Sequence, residues 1–302
     1  MPTVSVIMNC LNCSKYLHKA IDSVYAQTYK DWEIIFWDNA STDNSPEIAK
    51  SYDEKLRYFR GNETVLLGKA RNLAIEKAKG EFIAFLDCDD IWLPFKLEKQ
   101  MKLFDNNPKL GLVYCDCLFI YPNGQKALAS KFFKFHRGDV FQKMLLTNFV
   151  VLSTAIIRSN AINECGGFLN YQVIEEYDLF LKISKYYQID FVNEPLAKYR
   201  YHEGNISKNL DINLLEIKEV YKYWSQRVEY DIKRICLRAL GNSYYGLSRR
   251  ALFHLKNKNQ AKEIIKKSFN YGMSLKYILF LGFCYLPMGI IQGIRKFILS
   301  LK

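Results

Sequence analysis

The first hundred residues alternate between two hydrophobic periods. Short apolar runs, typical of buried strands, alternate with segments whose apolar residues recur every three or four positions, as on one face of a helix. The predicted strands are Val4–Met8, Trp32–Trp37, Leu56–Arg60 and Phe82–Leu86. The predicted helices start at Ser14 and at Ser45, cover Leu67–Ala78, and run from Pro94 to about Phe104. This alternation predicts an α/β fold with a Rossmann-like, mostly parallel sheet flanked by helices.

The pattern changes character in the second half of the chain. Strands are expected at Leu112–Tyr121 and Val150–Arg158, and a helix at Tyr177–Tyr187. Beyond Asn209 the three-to-four-residue period dominates and predicts helices over Leu214–Val228, Ile232–Gly246 and Arg249–Asn270. We therefore predict an α/β domain over residues 1–209 and a C-terminal α-helical extension over residues 210–302.

The segment Tyr277–Ile294 has no charged residue over eighteen positions, and Lys276 and Arg295 flank it. Eighteen residues are at the short limit for a membrane-spanning helix, and Pro287 interrupts them. The segment could span a bilayer, lie in or re-enter its surface, or pack on the protein as a terminal helix. Because of the flanking cations, we expect membrane association at about residues 274–302.

Composition and charge support this division. With 49% apolar residues, the chain is expected to form a globular core rather than to be disordered. The net charge is +12, but eleven Lys and Arg residues and one Glu lie from Arg249 onward, so the first 248 residues carry only +2. A basic region of this kind indicates an anionic partner, either a membrane surface or nucleic acid.

The eight cysteines lie mostly in apolar runs, and no secretory segment precedes them. We therefore expect reduced thiols in a protein that is not exported. The pair Cys10 and Cys13 and the pair Cys115 and Cys117 could each be half of a zinc site. The four-ligand spacings of structural zinc are absent, which argues against zinc.

An acidic cluster follows the fourth predicted strand, where Gly80–Pro94 reads GEFIAFLDCDDIWLP. Asp87 and Asp89 are one residue apart at the strand end, so their charges repel each other unless a cation relieves them. Mg²⁺ and Mn²⁺ prefer oxygen ligands and keep open positions for phosphate oxygens. The alternative is a solvated loop in which Asp89 or Asp90 caps the helix that begins near Pro94.

Four further stretches accompany this cluster in a fixed order: VSVIMNCLNCSKYLHKAIDSVYAQTYKDWEII at Val4–Ile35, WDNASTDNS at Trp37–Ser45, GKARNLAIEKAKGEF at Gly68–Phe82, and GGFLNYQVIEEYDLFLK at Gly166–Lys182. The ordered set resembles family 2 of the inverting glycosyltransferases, which have the nucleotide-sugar-binding GT-A fold. The resemblance covers about residues 3–207 and carries far more weight than the Asp–x–Asp motif alone.

The resemblance implies a donor site. Asp38 and Asn39 correspond to the pair that reads the base, a uracil in many members, with Asn39 in place of an acid. Leu11 replaces an aromatic residue that stacks on the base, and Arg71 matches a basic residue near base and phosphate. Asp87 corresponds to the residue near ribose and metal, and Asp89 to the ligand of Mn²⁺ or Mg²⁺. The remaining implied donor contacts are Asn9, Cys88, Arg200 and Ser207.

It also implies the catalytic base. The family's acidic pattern falls on Glu175–Asp178, which makes Glu176 the candidate base, although relatives usually have Asp there. Asp178 is the alternative. His202, in YRYHEGNIS at Tyr199–Ser207, matches a residue that approaches the metal and the diphosphate.

The function expected from these features is transfer of one sugar from a nucleotide-sugar donor, with UDP-sugar favoured, to a glycan or lipid-linked acceptor of bacterial surface polysaccharide or lipooligosaccharide. The enzyme would act at the cytoplasmic face of the inner membrane. A metal-dependent nucleotidyltransferase is one alternative, although the Gly-rich phosphate loop typical of that class is absent. A non-catalytic membrane- or nucleic-acid-binding protein is another, but it leaves the acidic cluster unexplained, and we expect no nucleic acid partner.

Overall fold

The computed structural model describes residues 2–105, 107–253, 255–272 and 274–300, with side chains as far as Ile294. Within these residues the strands are β1 (Val4–Cys10), β2 (Trp32–Asp38), β3 (Leu56–Arg60), β4 (Phe82–Phe85), β5 (Ile91–Trp92), β6 (Leu110–Ile120), β7 (Lys126–Leu128), β8 (Ile156–Arg158) and β9 (Gln188–Arg200). They form a single mixed sheet in the order β3-β2-β1-β4-β8-β6-β9-β5, and β7 pairs with β6.

Helices cover the sheet and make up the C-terminal part of the described chain. The first seven are α1 (Ser14–Tyr25), α2 (Ser45–Lys50), α3 (Leu67–Ile75), α4 (Lys96–Phe104), α5 (Phe141–Leu146), α6 (Ser159–Glu164) and α7 (Glu175–Tyr186). The later ones are α8 (Leu210–Ser225), α9 (Tyr230–Phe253), α10 (Lys258–Ser268), α11 (Leu275–Phe283) and α12 (Met288–Ser300). Short 3₁₀ helices lie at Ala129–Lys131, Leu152–Thr154, Ile206–Lys208 and Phe269–Tyr271.

The first four strands are parallel, as predicted. β1 pairs with β2 from Val4 opposite Trp32 to Cys10 opposite Asp38, and on its other side it pairs with β4. All seven residues of β2 and all four of β4 are buried, because helices cover both faces. Since parallel strands end at the same edge, the residues that follow β1, β2 and β4 come together there.

The second half of the sheet differs from the expectation. β8 is antiparallel to β4 and β6, whereas β9 runs parallel to β6 and ends at Arg200, next to the edge at which β4 ends. The sequence pattern predicted no strand at β9. Its register shifts at Pro195, and the polar residues around that proline break the period-two pattern. Only Ile156–Arg158 of the predicted strand Val150–Arg158 is a strand, since Leu152–Thr154 forms a 3₁₀ turn.

The described chain forms two compact units, one of residues up to 144 and 148–208, the other of residues 145–147 and the chain from 209 onward. In the second unit, α9 continues through Gly246, where the sequence pattern predicted a break. Gly246 is exposed, and a Cβ atom placed there would have open space around it, so the helix meets no obstacle at this position. α9 and α10 pack against each other as a helical hairpin, with Ser248 Oγ donating to the Ala261 carbonyl at 2.6 Å.

The apolar segment near the C-terminus is divided. α11 ends at Phe283 and α12 begins at Met288, and Pro287 lies between them. No helix among the residues described has both the length and the apolar character required to cross a bilayer.

Candidate active site

Three carboxylates follow the buried strand β4, but their environments differ. The side chains of Asp87 and Asp89 are 33% and 26% exposed. Asp90 is buried, and its carboxylate accepts hydrogen bonds from Ser153 Oγ at 2.6 Å and from the Arg200 N–H at 3.0 Å. Asp90 therefore anchors the loop to neighbouring segments, while Asp87 and Asp89 present oxygen atoms at the sheet edge.

The capping alternative for this cluster is wrong. α4 begins at Lys96, and Phe95 precedes it as a cap residue without a side-chain hydrogen bond. The carboxylates of Asp89 and Asp90 are instead bonded to residues from distant parts of the chain. A helix cap therefore does not explain the acidic cluster.

The end of β9 brings His202 to Asp89. His202 Nε2 lies 2.7 Å from Asp89 Oδ2, and the Asn205 amide lies 3.4 Å from the same oxygen. The Gly204 N–H donates to His202 Nδ1 at 3.1 Å, which places the proton of a neutral ring on Nε2, facing Asp89. The structure thus joins the two predicted metal ligands. His202 could bind a metal through Nε2 only after that nitrogen loses its proton and the Gly204 contact changes.

The electrostatics of this edge suit a divalent cation. Burial raises the pKa of Asp89, the nearby charge of Asp87 raises it further, and His202 lowers it. Negative charge is therefore incompletely compensated, and a hard cation would offset it through carboxylate oxygens. The nearby Asn9 amide is shielded from solvent and has no hydrogen-bond partner among the described residues. An orphaned buried amide of this kind indicates a place for a bound polar group.

Arg71 joins the carboxylate loop to α7. It projects from α3, is 4% exposed, and donates from Nε to Glu175 Oε1 at 2.9 Å and from Nη2 to Asp87 Oδ1 at 3.2 Å. Arg71 is therefore not an ordinary exposed cation on the surface of a helix. The predicted phosphate contact is also not open in this state, because both ends of the guanidinium are engaged by carboxylates.

The two candidate bases on α7, Glu176 and Asp178, have different surroundings. Burial raises the pKa of Glu176 to about 8, the charge of Glu175 adds to this, and Arg71 opposes it. Asp178 is completely buried, and Lys182 Nζ lies 2.7 Å from its Oδ2. A group that accepts a proton from a substrate must be reachable, and a pKa near 8 suits a base at neutral pH. Because Glu176 is partly exposed and Asp178 is not, the geometry favours Glu176 over Asp178.

Asp38 and Asn39 lie at the predicted sheet edge, but their side chains are engaged. Asp38 is completely buried and accepts hydrogen bonds from Tyr58 OH at 2.6 Å, Arg60 Nη1 at 2.8 Å and the Ser41 N–H. The Asn39 amide donates to the Val65 carbonyl at 2.8 Å and accepts from the Val65 N–H at 3.1 Å. The resemblance implied that these two side chains read the base of the nucleotide. In this state neither of them is free to do so.

Two further residues with a predicted contact to the sugar donor, Leu11 and Cys88, lie in the segments that follow β1 and β4. Leu11 is 45% exposed, as expected of a side chain that covers a bound ring. Cys88 is buried, and its thiol donates to the Asn9 carbonyl at 3.3 Å, which ties the β4 loop to β1. Cys88 therefore links the two loops of this edge, and its buried thiol is not placed to contact the sugar donor.

The expectation of reduced thiols fails at one pair. Cys10 and Cys13 form a disulfide across the turn that carries Leu11, while the other six cysteines are free and buried. The sulfur atom of Cys88 lies within 4.8 Å of both. A separation of three residues allowed this bond, but the sequence gives no information on redox state.

Two residues at this edge, Tyr16 and Glu175, were not given a role by the sequence. Arg200 and His202 both pack on Tyr16 of α1, with the guanidinium 4.7 Å and the imidazole 5.4 Å from the phenol ring centre. Glu175, at the start of α7, accepts the hydrogen bond from Arg71 Nε and so holds that side chain in place. Ser207, which the resemblance gave as a contact of the sugar donor, hydrogen-bonds the side chain of Tyr199.

Known proteins resemble this chain over almost its whole length. A family model described as glycosyl transferase family 2 matches residues 5–166. An uncharacterized glycosyltransferase of Rickettsia typhi is 31% identical over 98% of this chain and 92% of its own. The Escherichia coli UDP-Glc:alpha-D-GlcNAc-diphosphoundecaprenol beta-1,3-glucosyltransferase WfgD is 29% identical over 73% of this chain and 83% of its own.

Solved structures show the same fold. Residues 1–349 of Staphylococcus aureus TarS superpose with a TM-score of 0.68 at 19% identity, covering 90% of this chain and 81% of that one. The mannosyltransferase PcManGT of Pyrobaculum calidifontis, solved in complex with GDP-Man and Mn²⁺, gives a TM-score of 0.64 at 16% identity, covering 97% and 86%.

Proposed function

The chain belongs to glycosyl transferase family 2 and has the GT-A fold, and we propose that it transfers one sugar from a UDP-sugar to a hydroxyl of a lipid-linked glycan, with inversion at the sugar carbon. WfgD uses UDP-Glc and an acceptor on diphosphoundecaprenol, and a TarS structure contains UDP-GlcNAc, which supports this donor and acceptor class. The product would be bacterial surface polysaccharide or lipooligosaccharide.

One juxtaposition supports the proposal most strongly. Arg71 contacts Asp87, two residues from Asp89, and also Glu175, the neighbour of Glu176. Arg71 therefore holds the aspartates that would bind the metal of a donor diphosphate close to Glu176, the carboxylate that would act as the base. A structural ion pair alone would need neither the partly exposed aspartates nor the raised pKa of Glu176.

The donor side would use Asp87 and Asp89. Their oxygen atoms fit Mn²⁺ or Mg²⁺, and the bound ion would neutralise the charge of the departing nucleoside diphosphate. Arg200, stacked on Tyr16 with its Nε donating to the Asp89 carbonyl at 3.0 Å, fixes this loop. The orphaned amide of Asn9 is available to hydrogen-bond the nucleoside.

The acceptor side would use Glu176. Its carboxylate takes the proton of the acceptor hydroxyl as that oxygen attacks the sugar carbon, while the diphosphate leaves from the opposite face. Burial disfavours the charged carboxylate and so increases its affinity for that proton. A single displacement of this kind inverts the configuration.

The site of action in the cell follows from the acceptor. A lipid-linked acceptor requires access to a membrane surface, and we assign this contact to the basic C-terminal region. We place the enzyme at the cytoplasmic face of a bacterial inner membrane, where nucleotide sugars are made. No nucleic acid partner is part of the proposal.

The test is a donor-hydrolysis and transfer screen over nucleotide sugars, with Mn²⁺, with Mg²⁺ and with a chelator. We expect a UDP-sugar to be turned over only with metal, and Asp89→Asn to abolish that activity while leaving the melting temperature nearly unchanged. Asp211→Asn, an exposed change on α8, is the matched control. Turnover of no nucleotide sugar, or metal-dependent turnover that survives Asp89→Asn, contradicts the proposal.

A further inference from the structure

The C-terminal unit contains a basic hollow of about 690 Å³ between α9 and the start of α11. Three cations line it, Arg234, Arg238 and Lys276, against one carboxylate, Asp231. Arg234 and Arg238 are four residues apart on α9 and so lie on one face of that helix. None of the three cations is ion-paired with a carboxylate in the part of the chain described.

The hollow is organised around Asn242, one turn after Arg238. The Asn242 side-chain oxygen accepts hydrogen bonds from Lys276 Nζ at 2.7 Å and from Tyr277 OH at 2.9 Å. Lys276 is thereby held close to Arg238, and burial together with the Arg238 charge lowers the pKa of Lys276. Positive charge is concentrated here without compensation, so an anion that entered the hollow would relieve the repulsion.

An exposed apolar stripe lies on the same helix as Lys276. Leu275, Ile278 and Leu279 of α11 are 70%, 48% and 64% exposed. Their spacing places them on one face of the helix, whereas Tyr277 and Phe280 are buried on the other. Helices that are apolar on every face are normally buried, and an exposed patch of this kind marks a contact surface.

We propose that the hollow binds the phosphate group of a membrane lipid while the apolar stripe of α11 lies in the interfacial zone of the bilayer. A free anion would need the cations but not the stripe. A nucleic acid would use the cations for its phosphates, and a single strand would add aromatic surfaces for stacking, but neither would use the exposed aliphatic side chains of the stripe. A lipid satisfies both features, because its charged headgroup and its hydrocarbon lie next to each other.

The inference depends on the proposed function in one respect, that the acceptor is carried by a membrane lipid. It adds a location for the headgroup and a chemical class, a phosphate ester. Vesicle binding requires neither donor nor acceptor, so the inference and the proposed function can fail separately.

The test is flotation of the full chain with vesicles of phosphatidylcholine alone and of phosphatidylcholine with phosphatidic acid. The pocket variant carries Arg234→Gln, Arg238→Gln and Lys276→Gln. The control variant removes the same charge from exposed positions outside the hollow, with Lys233→Gln, Lys266→Gln and Lys267→Gln. All six side chains are exposed, so neither variant should unfold the chain, and circular dichroism checks this.

Since each cation near an anionic surface strengthens binding about fivefold, we expect the pocket variant to bind phosphatidic acid vesicles about 100-fold more weakly. The control variant should lose about tenfold or less, and Leu279→Gln should weaken binding with the cations intact. If the two triple variants lost vesicle binding equally, the attraction would be diffuse, and the proposal of a specific binding pocket would be wrong. The proposal that the ligand is a lipid would be wrong if the chain bound inorganic pyrophosphate tightly without binding vesicles, or bound oligonucleotides more strongly than vesicles.

Discussion

As the proposed base, Glu176 would control the rate through its protonation state. Its pKa is raised to about 8, chiefly by burial, and a base acts only when deprotonated, so kcat/KM should rise with pH up to about 8. Glu176→Gln should lose this rise and lower kcat by about 10²–10⁴-fold. Initial-rate measurements across pH check this, with the exposed Glu219→Gln as control. A variant with the wild-type pH profile would exclude Glu176 as the base.

The same carboxyl group affects stability with a definite sign. Its pKa in the folded chain is above its ordinary value of 4.5, so the folded state holds the proton more tightly. The resulting stabilisation is present below about pH 4.5 and is lost as the pH rises through about 8. In the presence of a chelator, the melting temperature of wild type relative to Glu176→Gln should therefore fall over this interval, and a constant difference would contradict the assignment.

Arg71 is the second residue with a testable role of its own. Removing it leaves the buried Glu175 and the partly exposed Asp87 without their partner, and breaking a buried pair on one side typically costs about 3–5 kcal/mol. Arg71→Met should lower the free energy of unfolding in urea by about that amount. Arg249→Met, an exposed change on α9, should alter it by about 0.5 kcal/mol or less. Equal effects of the two changes would show that Arg71 is not the link described.

At the scale of elements, the start of α3 packs backbone against backbone on the segment before α7. A side-chain carbon at Gly68 would lie 1.8 Å from the Leu169 carbonyl oxygen, and the Gly68 N–H donates to the Tyr171 carbonyl at 2.9 Å. Gly68→Ala should therefore cost about 1–3 kcal/mol and, since α3 carries Arg71, also lower the rate.

The matched control for this contact is Gly246→Ala. Gly246 lies within α9, with nothing within 4 Å of a side-chain carbon placed there, so alanine should stabilise the helix by up to about 1 kcal/mol. Urea unfolding of both variants measures the difference. Similar effects at the two positions would contradict the close approach of α3 to the loop.

Elements with a regular pattern were predictable, and those shaped by distant contacts were not. The apolar run of β1 and the apolar face of α1 predicted the first βαβ unit, and the structure confirms both elements. β9 was missed because its pairing with β6 is irregular around Pro195, and pairing partners cannot be read from one strand. This mattered for the site, because β9 delivers Arg200 and His202.

The candidate site was predictable in outline for the same reason. The ends of parallel strands must meet, so Asp38 and Asp87 could be placed at one edge from the sequence. The tertiary fold sets the positions of hydrogen-bond partners such as Tyr58 and Arg71. These partners decide which oxygen atoms of Asp38 and Asp87 remain accessible to a ligand. The pattern of the sequence therefore gives the location of a site more reliably than the state of its side chains.

At the scale of the whole molecule, charge is divided along the chain. The first 248 residues carry +2 of the total +12, and within this part the carboxylates at the end of β4 form a local negative centre. The remaining +10 is carried from Arg249 onward, and the proposed lipid contact lies in the same helical region, with Lys276 after that point and Arg234 and Arg238 before it. The sheet edge after β4 is thus suited to bind a metal and its nucleotide, and the C-terminal helices are suited to bind an anionic surface.

The central claim is that Asp87 and Asp89 bind a divalent ion that holds the diphosphate of the donor, and calorimetric titration of UDP into the full chain tests it most directly. We predict that UDP binds at least about tenfold more tightly with Mn²⁺ than with a chelator, a difference of about 1.4 kcal/mol. Asp89→Asn should remove this difference. Equal affinity with and without Mn²⁺ in the wild-type chain, or a metal effect that persists in Asp89→Asn, would contradict the account.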